Sequence, residues 1–78
     1  QYINDIVHLN GNFEYRKAII EELSKALSTK EMEDIIDKMD RLAESLEGLK
    51  KSQYLFYTKE TKDFLIRVIT EKNKQYEH

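Results

Sequence analysis

The chain has no cysteine, no proline and no tryptophan, and only two of its 78 residues are glycine. Each absence excludes something. Without cysteine there can be no disulfide and no thiolate metal site, and a reducing, cytoplasmic setting is the expectation. Without proline, and with only Gly11 and Gly48 as breakers, long helices are expected. No apolar run approaches the roughly 20 residues of a membrane span. The opening residues also lack the charged-then-apolar order of a secretion leader. A glycine-rich phosphate loop is missing, and none of Ser24, Ser28, Ser45 or Ser52 sits in a nucleophile motif.

What remains is 40% hydrophobic and 36% charged, with a net charge of −2. That is the composition of one small folded domain, residues 1–78. A chain of this length buries only about 60% of the surface its unfolded form exposes, so a lone copy is marginally stable. Small scaffolds recover stability through disulfides, metals or association. Here association is the route that composition leaves open.

Charge is unevenly placed. Residues 28–49 set Lys30, Lys38 and Arg41 against seven acids, giving −4, whereas residues 50–78 set seven basic residues against four acids, giving +3. An acidic middle beside a basic end suits antiparallel or head-to-tail helix pairing. It is well below the basic excess of a dedicated nucleic-acid binder.

The apolar spacing predicts four helices. A short one over 2–9 carries Tyr2, Ile3, Ile6 and Val7 on one face and stops at Asn10-Gly11. Asn12 caps a second, over 12–27, with Phe13, Tyr15, Ala18, Ile19, Ile20, Leu23, Ala26 and Leu27 as its broad apolar face and Arg16, Lys17, Glu21, Glu22 and Lys25 toward water. Ser28-Thr29-Lys30-Glu31 has the form of a capping box, with Leu27 and Met32 placed as a hydrophobic staple. It opens a third helix over 28–48, whose stripe runs Met32, Ile35/Ile36, Met39, Leu42/Ala43, Leu46 and Leu49, the last placed to fold back on the final turn. Ile35, Met39, Leu42 and Leu46 are expected in the core, the two methionines of the stripe as packing. Gly48 to Lys51 then reads as a break, and Thr58 as the cap of a last helix over 58–76. Its inner face is Thr61, Phe64, Leu65, Val68, Ile69 and Tyr76, with Ile66 off the stripe. The expected fold is all-α: a small antiparallel helical bundle of three long helices plus a short N-terminal one.

Candidate chemistry is sparse. Asp34, Asp37 and Asp40 form D-x-x-D-x-x-D, but no second acidic helix faces them, and three acids at that spacing fan around an outer surface. His8 stands alone inside the chain and His78 is terminal, so no metal set is expected. No cofactor and no catalytic residue is expected either.

The most distinctive stretch is Lys50 to Lys59. It interleaves Lys50, Lys51 and Lys59 with Tyr54, Phe56 and Tyr57, and Tyr54–Tyr57 is a run of four apolar or aromatic residues. At about 100° per residue, four consecutive helical positions cover some 300° of the axis and cannot all enter one core. The expectation is a bundle corner, with Leu55 and Phe56 plugging the core's end and the tyrosines meeting solvent or a partner. Tyr54, Phe56, Tyr57, Lys50, Lys51 and Lys59 are therefore the candidate partner-binding residues.

Leu27–Leu49 resembles the dimerisation helix of winged-helix repressors along that one helix, and no wing follows it. In size and pattern the chain is similar to small helical immunity and anti-repressor proteins. The functional expectation is a non-enzymatic protein–protein interaction module, self-associating as a homodimer. The alternative is a nucleic-acid accessory protein that stacks bases on the aromatic and basic residues of 50–62.

Overall fold

The computed structural model describes residues 2–76, without the side chains of residues 75 and 76, so the expected inward ring of Tyr76 and the terminal His78 lie outside the described part. Four helices follow in order: α1 Tyr2–Val7, α2 Phe13–Ala26, α3 Thr29–Ser45 and α4 Gly48–Tyr76. The described residues contain no strand. The all-α bundle is as the spacing predicts, with one correction of substance in its last element.

The caps explain the boundaries. Asn12 Oδ1 accepts from the Tyr15 amide at 2.8 Å and opens α2. Ser28 Oγ accepts from the Glu31 amide at 3.2 Å while Glu31 Oε1 accepts from the Ser28 amide at 3.1 Å, the reciprocal box that starts α3. Accepting from the Ser28 backbone and hydroxyl holds the Glu31 carboxyl below its ordinary pKa.

α1 stops earlier than Asn10-Gly11 suggests. Leu9 itself takes the left-handed conformation (φ 58°), and the Asn10 amide reaches back to the Asp5 carbonyl at 2.8 Å, the six-to-one bond of a Schellman closure. Gly11 follows at φ 72°, and a Cβ there would lie 2.4 Å from the Tyr15 ring. Both conformation and space demand glycine at that point.

The correction concerns 48–58. The break falls at Leu46 and Glu47, and α4 restarts at once on Gly48 (φ 60°). It then runs unbroken for 29 residues through Lys50–Tyr57. Thr58 caps nothing. It is buried in mid-helix, and its hydroxyl donates to the Tyr54 carbonyl at 2.7 Å. At 1.5 Å per residue such a helix is about 43 Å long. That accounts for the molecule's 45 Å long axis.

α2 and α3 both pack along α4, and α1 packs across α2 and α3. Arg16 meets Thr61 and Lys72 meets Ser24 and Leu27, so α2 and α4 run parallel. Lys62 meets Asp40 while Lys72 meets Leu27 at the entrance to α3, so α3 runs antiparallel to α4. The core draws Ile6 and Val7, Ile19 and Ile20, Met32, Ile35 and Met39, and Leu65 and Ile69 from the four helices. Of the predicted stripe Ile35, Met39 and Ala43 are buried, whereas Leu42 and Leu46, expected in the core, are only half-buried.

That difference sets an expectation. Ile35→Ala should cost about 2–5 kcal/mol through lost burial and the cavity it leaves. Leu42→Ala, half in solvent, should cost closer to about 1 kcal/mol. Reversible urea melts of the two variants check the order, which would reverse if the α3 face were turned by a third of a revolution.

Candidate interaction surface

α4 has two sides with different chemistry. Its inner line is Tyr54, Thr58, Thr61, Leu65 and Ile69, of which the last four are at or below 7% exposure and Tyr54 is half-buried. Its outer line is Leu49, Ser52, Phe56, Lys59, Asp63 and Ile66, spaced alternately three and four, so that it stays on one side of the helix. All six are exposed, Leu49 at 73% and Phe56 at 75%. Leu55 and Tyr57 flank this line and are exposed as well.

The corner reading of this stretch is therefore corrected. Leu55 and Phe56 do not plug the core's end; they face out. Tyr54 does the reverse. Its ring is half-buried and its hydroxyl donates to the Val7 carbonyl at 2.7 Å, closing the C-terminal end of α1 against α4. The run cannot share one face, as the 100° rule requires, and the chain resolves this by turning one residue in and leaving three out. Leu49, expected to fold back on α3, also stands in solvent.

The other candidates separate too. Phe56 and Tyr57 stack edge to face, centroids 5.3 Å apart at 82°. Lys59 shares one shallow groove with Phe56 and Asp63 and a second with Leu55 and Ile66. Lys50, nine residues before Lys59, lies about 180° from it around the helix, and Lys51 about 80° away. Lys62 forms an ion pair with Asp40. Among the described residues, neither Lys59 nor Asp63 has an ion-pair partner.

Tyr15, Ala18 and Ala26, expected on the apolar face of α2, are exposed, whereas Arg16, expected in water, is buried at 8% exposure. Its Nη1 donates to the Leu9 carbonyl at 3.3 Å and the Gly11 carbonyl at 2.6 Å, and its Nε to Thr61 Oγ1 at 3.2 Å. One guanidinium thus fastens both left-handed residues of the α1–α2 turn to α4. The signal was present in the spacing, since Arg16 falls in line with Phe13, Ile19 and Ile20. Lys72 plays the same part at the opposite end, donating to the Ser24 and Leu27 carbonyls where α2 stops. Both groups are committed to structure rather than to chemistry.

Asp34 and Asp37 are exposed on α3, and Asp40 is half of the Lys62 pair. No three His, Cys, Asp or Glu side chains among the described residues gather closely enough to hold a metal ion. No helix of the described residues is long and apolar enough to cross a membrane. No family model, curated protein or solved structure matches the chain.

The Tyr54–Val7 contact has a pH signature. Burial, with a smaller contribution from the Asp40 charge, pushes the Tyr54 hydroxyl up to about 12. Between the unfolded value near 10 and that figure, the unfolded chain ionises while the folded one keeps its proton, so stability falls as pH rises. Tyr54→Phe should lose about 1 kcal/mol near neutral pH, where the hydrogen bond is intact. The gap between wild type and variant should then narrow above about pH 10. Urea melts at neutral and alkaline pH test this; a gap that stays constant would mean the hydroxyl is in water.

Proposed function

We propose that this protein is a non-enzymatic protein–protein interaction module that works in a reducing, cytoplasmic setting, and that it associates with itself through the outer face of α4. The observation that carries the reading is that face: Leu49, Phe56 and Ile66 in one line, with Leu55 and Tyr57 beside it, all exposed. A bundle that already has a closed core gains nothing from a phenylalanine at 75% exposure, and several large apolar side chains exposed on one side of a helix suit a contact site. Aromatic anchors with a polar rim are the usual make-up of such a contact. The small core adds a reason for association, since a second copy extends the buried surface.

Phe56 and Tyr57 are the anchors in this reading, with Lys59 at their edge. Tyr54 supports the contact from below, by fixing α4 to α1, and Lys50 lies outside it. The nucleic-acid alternative has less in its favour. Glu60 and Asp63 lie beside Phe56 where a phosphate backbone would pass, Lys62 is neutralised by Asp40, and Lys50 and Lys59 point to opposite sides.

Light scattering over a hundredfold concentration range should show the mass rising from one copy to two. Phe56→Ser combined with Leu49→Ser should weaken that association by about tenfold or more at unchanged helix content, the loss of one hot spot. A one-copy mass throughout for the wild type would remove self-association.

A further inference from the structure

The order of residues on the outer line of α4 specifies more than an apolar patch. Along the chain, Phe56, Lys59, Asp63 and Ile66 read aromatic, cation, anion, aliphatic, at spacings of three, four and three. Turned end for end about the level of residue 61, this series maps onto itself with the charges exchanged. Each apolar side chain then falls on an apolar one, and each charge on its opposite. A two-fold contact requires this self-complementarity, because the same patch must serve both copies.

We propose that the partner is a second copy of this chain, seated with its α4 antiparallel to the first, so that Lys59 pairs with the partner's Asp63 and Phe56 packs on the partner's Ile66, each twice. The inference rests on the self-association reading and supplies its geometry. Three observations support it. Lys59 and Asp63 are exposed and have no ion-pair partner among the described residues, although they stand four apart on one helix. With the cation N-terminal to the anion, that pair is in the less favourable order for an intrahelical bridge, which leaves both groups available across a contact. Second, the same register sets Ser52 against the partner's Thr70, two small exposed residues where closely packed helices need small side chains. Third, the alternatives are worse on charge: a parallel pair in register would place Lys59 on Lys59 and Asp63 on Asp63. The charged centre between apolar ends fixes the register, as a polar layer does in a helical coil.

The absence of native cysteine makes the register measurable. Two single variants, Ser52→Cys and Thr70→Cys, are oxidised separately and as an equimolar mixture. The mixture should give a disulfide-linked pair of one chain of each kind, and either variant alone should give at least about tenfold less, since only facing positions bring the sulfurs within bonding range. Efficient linking of each variant to itself would mean a parallel pair and would overturn the proposal. A second measurement guards against a disturbed contact: Lys59→Asp should weaken wild-type association by about tenfold or more, and adding Asp63→Lys should restore most of it, by the logic of a mutant cycle. Loss without restoration would also overturn the proposed pairing. A wild type that scatters as one copy at all concentrations removes self-association itself, whereas a two-copy mass with the wrong linkage pattern removes only the antiparallel register.

Discussion

The continuity of α4 is the constraint on which the rest of the molecule depends. At 29 residues it is far longer than α2, with 14, or α3, with 17. Every other helix is tied to it by a polar contact: α1 through Tyr54 and Val7, and α2 and α3 at adjacent residues through Arg16 and Thr61 and through Lys62 and Asp40. The α2–α3 turn is held by Lys72. Between these levels Leu65 and Ile69 supply its share of the apolar core. Two of the four ties satisfy carbonyls that helix ends leave without partners, so the long helix also closes the ends of the short ones.

A helix in that position has a consequence for its far side. α2 and α3 both pack along α4, and its opposite line from Leu49 to Ile66 is exposed throughout. Its apolar residues there are not failures of burial in a poorly packed protein. The core is dry of unsatisfied side chains, since no buried side-chain nitrogen or oxygen among the described residues lacks a hydrogen-bond partner. The interior is satisfied this fully while Leu49, Phe56 and Ile66 remain outward, and the proposed self-association would cover them.

Much of this was legible in the residues. Asn12 and the Ser28–Glu31 box announce their helices through local hydrogen bonding, which does not depend on the rest of the fold. The Met32–Ile35–Met39 stripe fixes which side of α3 is buried. The stretch 50–57 was harder for a definite reason. A glycine, two lysines and a crowded apolar run all imitate a loop when every apolar residue is assumed to need a core. The chain does not meet that assumption; it keeps the helix and leaves three of the four residues outside. Arg16 escaped notice by the converse assumption, that a charge on a helix faces water, although its guanidinium is among the best-bonded groups in the protein. Of the proposed interaction surface, Phe56, Tyr57 and Lys59 were already candidates in the sequence run, while Leu49, Leu55 and Ile66 join them only once α4 is continuous and its outer side can be drawn as one line.

The most direct test is therefore of the helix itself. Backbone NMR assignment across residues 46–60, with amide hydrogen exchange, reports its state residue by residue. Helical carbon shifts from Lys50 onward without interruption, and protected amides through Tyr54 to Thr58 comparable to those around Leu65, are what a single α4 predicts. Coil-like shifts and rapid exchange over 50–57, with helix beginning only at Thr58, would contradict it and with it the outer face on which the proposed function stands.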